Sequence, residues 1–234
     1  MRDTRFGGAL PSQVGVRPDA RLSAGFLSQA FTWMFAGLLL TAGIVWFVQG
    51  NERLTGVARD LFLPAIIAEF VIVFGITLLI NRIGALVALG LFFAYAALNG
   101  LTIGLIASAY TLPSVATAFL SAAGMFGAAA VYGAVTKRSL VGIGGILTMG
   151  VIGLFIAMIV NIFLQSSLIG FGISIIGVVI FTALTAYDVQ RIQNGDIAAR
   201  VGSMEKAAVI GALHLYLDFI NLFLFLLRIF GSRR

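Results

Sequence analysis

Three acidic residues, Asp188, Asp218 and Glu69, lie within stretches of sequence that are otherwise apolar enough to cross a lipid bilayer. An ionisable side chain at the bilayer centre costs about 3 kcal/mol on insertion scales, so intramembrane carboxylates are functional candidates by default. The sequence has no Lys or Arg at a comparable depth. Because three interior acids without an interior base cannot all be ionised cheaply, we expect them to share protons or to bind a cation.

These carboxylates could form a proton-sensitive latch or a path for a cation. Two neighbouring carboxylates that share a proton titrate as a coupled pair, and hard oxygen ligands suit Ca²⁺. The same group of acids could therefore pass calcium when ionised and close when protonated. We expect Asp188 and Asp218 to be the pH sensor and the calcium ligands, and Glu69 to be either a part of the ion path or a protonated structural residue.

The last apolar stretch predicts one polar helix face around Asp218. Residues three and four positions apart share a face, and this spacing is followed by Gly211, His214, Asp218, Asn221, Phe225 and Arg228. We expect His214 and Asn221 to support Asp218 in the interior of a helix bundle. His214 could be a cation beside Asp218 or a neutral side chain that is hydrogen-bonded within the bundle.

Composition places the chain among integral membrane proteins. Of its 234 residues, 60% are hydrophobic and 10% are charged, whereas an ordinary soluble domain has about 25% charged residues. The absence of Cys excludes thiolate metal sites, and a single His argues against a zinc hydrolase. The basic residues flank apolar stretches, as membrane orientation requires, so the net charge of +6 does not indicate nucleic-acid binding. We expect no cofactor.

Seven apolar stretches predict an all-α membrane protein, a bundle of seven transmembrane helices. A bilayer core needs about 20 apolar residues per helix. We expect residues 1–25 to be a polar, flexible tail and residues 26–230 to be the seven-helix domain. The predicted spans are about 26–48, 61–80, 84–108, 114–135, 140–164, 168–190 and 207–229.

The distribution of Lys and Arg predicts the orientation. If the seven spans alternate, ten of these residues lie on the side of the N-terminus and five on the other side. Since cytoplasmic loops carry the excess of Lys and Arg, we expect a cytoplasmic N-terminus and a C-terminus outside. Three of the five belong to the C-terminal end, and a re-entrant last helix would return them to the cytoplasm.

Two segments of the chain resemble the transmembrane Bax inhibitor motif family, specifically its bacterial branch. They are FTALTAYDVQRI, residues 181–192, and HLYLDFINLFLFLLR, residues 214–228. The resemblance implies a seven-helix bundle and a pH-sensitive calcium leak whose paired aspartates match Asp188 and Asp218, with Glu69 at an acidic position of the second helix. It also implies a bacterial cytoplasmic (inner) membrane and, because a bacterial relative modulates a membrane-anchored AAA protease, a second role as a regulator of such a protease.

The chain departs from this family after the predicted second span. In that family, an arginine after the second transmembrane helix is implicated in holding the aspartate of the sixth, which matches Asp188 here. In this chain Ile80 takes the place of that arginine, and only Arg82 remains nearby. We therefore count Arg82 as a supporting polar residue and expect no arginine lock on Asp188. The loop between the two aspartates, residues 194–207, is also longer than in the best-known bacterial relative, and His214 replaces a small Ser.

A remote alternative from the enzyme class is an intramembrane aspartyl protease, which also carries Tyr-Asp in its sixth helix and a second Asp in its seventh. Such enzymes need glycine around the second Asp and a Pro-Ala-Leu turn beyond it. Here Asp218 follows Leu215-Tyr216-Leu217, and no proline occurs after Pro113. We therefore expect a protein that is not an enzyme; the sequence leaves its oligomeric state open.

Overall fold

A computed structural model describes residues 20–232 of the chain, with side-chain placement from residue 25. This part of the chain is all-α and contains no strand. A short 3₁₀ turn, Val141–Ile143, precedes the helix that begins at Gly144. The helices are α1 (Ala20–Gln49), α2 (Glu52–Asp60), α3 (Phe62–Leu79), α4 (Ala85–Ser108), α5 (Leu112–Val135), α6 (Gly144–Leu164), α7 (Ser167–Gln193), α8 (Asp196–Val201) and α9 (Met204–Phe230).

The seven long helices correspond to the seven predicted spans. α1, α3, α4, α5, α6, α7 and α9 are each long and apolar enough to cross a membrane, and their ends differ from the predicted ones by a few residues. The predicted seven-helix membrane bundle is confirmed. Since α1 begins at Ala20, residues 20–25 of the predicted tail are helical. The rest of that tail, residues 1–19, lies outside the described residues.

Two short helices, α2 and α8, lie in the connections between the long helices and were not predicted from the sequence. α2 begins after Asn51, whose side-chain oxygen accepts a hydrogen bond from the backbone N–H of Arg53 at 2.9 Å and so caps the helix. α8 lies in the long connection between the aspartates, bounded by Gly195 at φ 74° and Gly202 at φ 67°. Glycine adopts this left-handed conformation without the steric cost of a Cβ, so the two glycines set the limits of α8.

α9 is the central helix of the bundle. It packs against α7, α1, α5 and α4, and Leu213, Tyr216 and Leu222 are completely buried. Because α9 is buried on nearly every side, it lies in the middle of the bundle. Asp218, on this helix, is therefore surrounded by protein.

α3 and α6 are peripheral. α3 packs mainly against α4, and α6 packs mainly against α7. Large apolar side chains are exposed on both helices, such as Leu63 on α3 and Ile146 and Phe163 on α6. Exposed apolar surface on this scale suits contact with lipid. Each of the two helices therefore depends mainly on one neighbour for its packing.

The end of α9 lies beside the α4–α5 connection. The backbone N–H of Thr111 donates to the carbonyl of Ser232 at 3.1 Å, and the N–H of Ser232 donates to Ser114 Oγ at 3.0 Å. α9 begins at the face where α7 ends, so it crosses the whole bundle to reach the face where α4 ends. The re-entrant alternative is therefore wrong, and the two ends of the seven-helix bundle lie on opposite faces.

Candidate functional site

A cavity of about 440 Å³ lies between α3, α4, α6, α7 and α9. Glu69 from α3, Asp188 from α7 and Asp218 from α9 all line it, so the structure brings together the three acids that the sequence analysis selected. His214 and Asn221, the predicted supporting residues on α9, line it as well. Its remaining lining is mostly aromatic and aliphatic, with further polar side chains from Tyr95, Asn99, Thr148, Tyr187 and Arg191.

Asp188 forms an ion pair, contrary to the expectation that no base could neutralise it. Nη1 of Arg191 donates a hydrogen bond to Asp188 Oδ1 at 3.2 Å, and both side chains are largely buried. The Arg191 guanidinium also lies over the ring of Tyr187, 5.1 Å from its centroid. Arg191 is three residues beyond Asp188 and shares its face of α7. The long side chain of Arg191 reaches back by one helical turn. The position of Arg191 near the end of the span therefore did not predict that its guanidinium would reach Asp188.

This ion pair corrects the expectation that an arginine lock is absent. Arg191 supplies a guanidinium to Asp188 from the same helix. Arg82 is exposed in the connection between α3 and α4 and is not among the residues that line the cavity. Of the two arginines, Arg191 is therefore the one at the site.

His214 faces Asp188 from the neighbouring helix. Its Nδ1 is 3.5 Å from Asp188 Oδ1, but this contact lacks hydrogen-bond geometry, and Nδ1 has no other partner among the described side chains. The sequence placed His214 one turn from Asp218 on the same helix. Because α9 is rotated so that His214 points to α7, the imidazole lies next to the other aspartate. A protonated His214 would strengthen the positive charge around Asp188.

Asp218 is buried, and one of its carboxylate oxygens has no compensating hydrogen bond within the described part of the chain. Its exposed fraction is 4%, and its Oδ2 atom has no hydrogen-bond partner among the residues that the structure describes. We call this group the open carboxylate. A buried polar atom without a partner is costly, so the site favours a proton, a water molecule or a cation at Oδ2.

Glu69 is held by α4. Thr102 Oγ1 donates to Glu69 Oε1 at 2.9 Å, and Asn99, one turn earlier on α4, also lines the cavity. Nδ2 of Asn99 is buried and has no partner within residues 25–232. Neither Asn99 nor Thr102 was predicted to be a site residue. An Asn in an apolar span is itself a signal that the position faces the protein interior.

The three acids line one cavity but do not form one compact cluster. Ca²⁺ takes 6–8 oxygen ligands in proteins. Within the described part of the chain, no three His, Cys, Asp or Glu side chains are grouped closely enough to hold a metal ion, and Arg191 already occupies Asp188. In this conformation the open carboxylate and Glu69 are the acids that a passing cation could approach.

Comparisons with known proteins give one consistent family. The family model described as "Inhibitor of apoptosis-promoting Bax1" matches residues 23–234. An uncharacterised protein of Deinococcus radiodurans is 44% identical over 209 residues, which are 89% of this chain and 90% of the relative. A protein of Escherichia coli strain K12 named "Inner membrane protein YbhL" is 42% identical over 225 residues, 94% of this chain and 96% of the relative. An uncharacterised protein of Borreliella burgdorferi is 41% identical over 214 residues, 89% of this chain and 92% of the relative.

Proposed function

The chain belongs to the Bax1-I family, inhibitor of apoptosis-promoting Bax1, and from this membership and the acidic cavity we propose that it is a pH-sensitive leak for calcium or a similar cation in a bacterial inner membrane. The relative of Escherichia coli is named an inner membrane protein, and the seven apolar helices suit this location. The excess of Lys and Arg on the side of the N-terminus supports a cytoplasmic N-terminus.

The observation that carries this proposal is the open carboxylate in a cavity lined by two further acids. A buried carboxylate attracts cations strongly because the surrounding protein screens charge less than water does. A bundle that needed only structural support at this position could use an apolar side chain at lower cost. The retained acid therefore supports an ionic role for Asp218.

The Asp188–Arg191 ion pair is the proposed latch. α7 ends only five residues beyond Asp188, at Gln193, so the pair lies near the face of the bundle at which α1 begins. While Arg191 holds Asp188, a guanidinium lies at the end of the cavity that is nearest to that face, and its positive charge repels cations. When Asp188 and Arg191 separate, a cation meets the carboxylate of Asp188 first and the open carboxylate next.

The opposite end of the cavity is closed by apolar packing. Along α9 the lining ends at Leu224, and the following residues, Phe225, Leu226 and Leu227, are buried. Phe225 packs on Gly177 of α7, where a Cβ would collide with its ring. Conduction therefore requires a movement of the helices around this segment, and the conformation described here is closed on that side.

Calcium flux into liposomes that contain the purified protein tests the proposal. The native chain is compared with Asp188→Asn, Asp218→Asn and Asp196→Asn at about pH 6 and about pH 8, which bracket the physiological range. We expect the flux to differ between the two pH values, because protonation removes both the negative charge that attracts the cation and the charge of Asp188 that holds Arg191. Asp218→Asn should lower the flux by about tenfold, equivalent to about 1.4 kcal/mol. Asp188→Asn should make the remaining flux independent of pH.

Asp196→Asn is the matched control, because Asp196 is an exposed acid of α8 near the same face of the bundle. It should retain both the flux and its pH dependence. Flux no greater than that of empty liposomes at both pH values would contradict the leak. The regulatory role toward a membrane-anchored AAA protease would then be the better account, and the acids would be a structural latch.

A further inference from the structure

The cavity reaches the side of the bundle between α3 and α6. Phe70 and Phe155 line the cavity and are also exposed on the outside of the bundle, at 47% and 39%. Phe70 lies at the middle of α3 (Phe62–Leu79), and Phe155 lies near the middle of α6 (Gly144–Leu164). Since both helices can span a bilayer, a mouth at this height faces the hydrocarbon core instead of water.

Aromatic side chains, not packed helix backbones, cover this mouth. The rings of Phe70 and Phe155 meet edge to face with centroids 6.2 Å apart, and Phe74 stacks beside Phe70 at 6.4 Å. α3 is supported by α4, and α6 is supported by α7. Rotamer changes of side chains are fast compared with helix movements. A narrow apolar molecule could therefore pass the rings while the bundle keeps its shape.

The interior behind the mouth combines an apolar wall with an acidic end. Phe181, Leu184 and Leu217 contribute to the wall, and the open carboxylate of Asp218 is more than nine-tenths buried with no partner for Oδ2 in the described part of the chain. Asp188, by contrast, already has Arg191. The volume of about 440 Å³ lies in the range of about 300–1,000 Å³ that is typical of small-molecule sites.

We propose that this cavity binds a hydrophobic amine, which enters from the lipid between α3 and α6 and places its nitrogen against the carboxylate of Asp218. The apolar entrance selects molecules that dissolve in lipid, and the acid selects a basic nitrogen among them. The amine enters as the neutral base and takes the proton of the Asp218 carboxyl group, which leaves an ammonium and a carboxylate in contact. No net charge crosses the mouth, so the cost of carrying an ion through hydrocarbon is avoided.

This binding does not require ion conduction, and it is tested without calcium. The full-length protein is placed in phosphatidylcholine nanodiscs and labelled by light with a decylamine derivative that carries a diazirine on its chain. We expect labels on the cavity-facing residues of α3 and α6, including Phe70 and Phe155. Decylamine should compete at a concentration about tenfold lower than decanol, its neutral counterpart of similar length, because only the amine pairs with the acid.

Variants sharpen the same experiment. Asp218→Asn should lower labelling of the cavity by about tenfold, whereas Asp196→Asn, the exposed acid of α8, should label as the native protein does. Equal competition by decanol and decylamine on the native protein would overturn the proposal, and this comparison needs no variant to fold. Full labelling of Asp218→Asn would also overturn it. Neither result would bear on the calcium leak, since no ion gradient is present.

Discussion

The two aspartates of the cavity have contrasting surroundings, although both belong to apolar helices of one bundle. Asp188, near the end of α7, accepts a hydrogen bond from Arg191 and has His214 beside it. Asp218, halfway along α9, has no partner for Oδ2 among the residues described here. The compensated carboxylate is suited to holding a closed conformation, and the uncompensated one is suited to receiving a proton or a cation. The contrast assigns different roles to two residues that the sequence treats as a pair.

The largest expected effect on stability comes from displacing α7, the helix that carries Asp188 and Arg191 but not Asp218. A Cβ at Gly133 of α5 would collide with the backbone of Ala186, two residues before Asp188. We expect Gly133→Val to lower the free energy of unfolding by about 3 kcal/mol, because overpacking against backbone cannot be relieved by a side-chain movement. Thermal unfolding in detergent measures this loss.

Gly127→Val on the same helix is the control for Gly133→Val. A Cβ at Gly127 meets no atom within 4 Å, and Gly127 is exposed, so its effect should stay within about 0.5 kcal/mol. If the two variants unfold at the same temperature, the close approach of α5 and α7 does not support the Asp188 side of the cavity.

The second prediction breaks the ion pair itself. Asp188→Asn leaves the guanidinium of Arg191 largely buried beside a neutral amide, and we expect a loss of about 2 kcal/mol in the free energy of unfolding. The variant Asp188→Asn with Arg191→Gln should recover part of this loss, because it removes the uncompensated charge as well. A double variant that is less stable than the sum of the single changes would contradict the pairing.

The third prediction concerns the latch at Arg191. Arg191→Gln removes the cation that competes for Asp188, so we expect calcium flux in liposomes to rise by about tenfold, the equivalent of about 1.4 kcal/mol. Arg191→Lys keeps the positive charge and should remain near the native flux. Reduced flux in Arg191→Gln would show that the guanidinium assists conduction and does not oppose it.

The smallest expected effect on stability is that of Asp218→Asn. Asp218→Asn removes a buried carboxylate that has no compensating base within the described residues, so we expect unfolding within about 0.5 kcal/mol of the native chain, or slightly higher stability. The same variant should lose most of the calcium flux. A strong destabilisation, comparable with that of Asp188→Asn, would mean that Asp218 has a structural partner and would weaken the proposed role in binding.

Much of the fold could be predicted from local sequence. The seven spans were found because hydrophobic length is a property of each segment alone. The short helices α2 and α8 were missed, since neither has the hydrophobic length of a membrane span. The limits of α8 depend on the positive φ angles of Gly195 and Gly202. The orientation of the last helix was left open by the charges and was decided by the hydrogen bonds between Ser232 and the α4–α5 connection.

The candidate site was only partly predictable. Asp188, Asp218 and Glu69 were selected because a carboxylate in an apolar span is costly wherever the helix packs. The partners could not be assigned in the same way. Arg191 lies near the end of its span but reaches inward, His214 points to α7 instead of along its own helix, and Thr102 binds Glu69 from another helix.

The sequence by itself determined that this chain is a membrane protein of seven helices and that acids lie in their interior, because hydrophobicity and the cost of a charge are local quantities. The tertiary structure decided which acid is compensated and which is open, and where the cavity reaches the outside of the bundle. Those properties depend on the rotation of α9 against α7 and on the gap between α3 and α6. Neither quantity is encoded in any single segment, since each results from the packing of several helices at once.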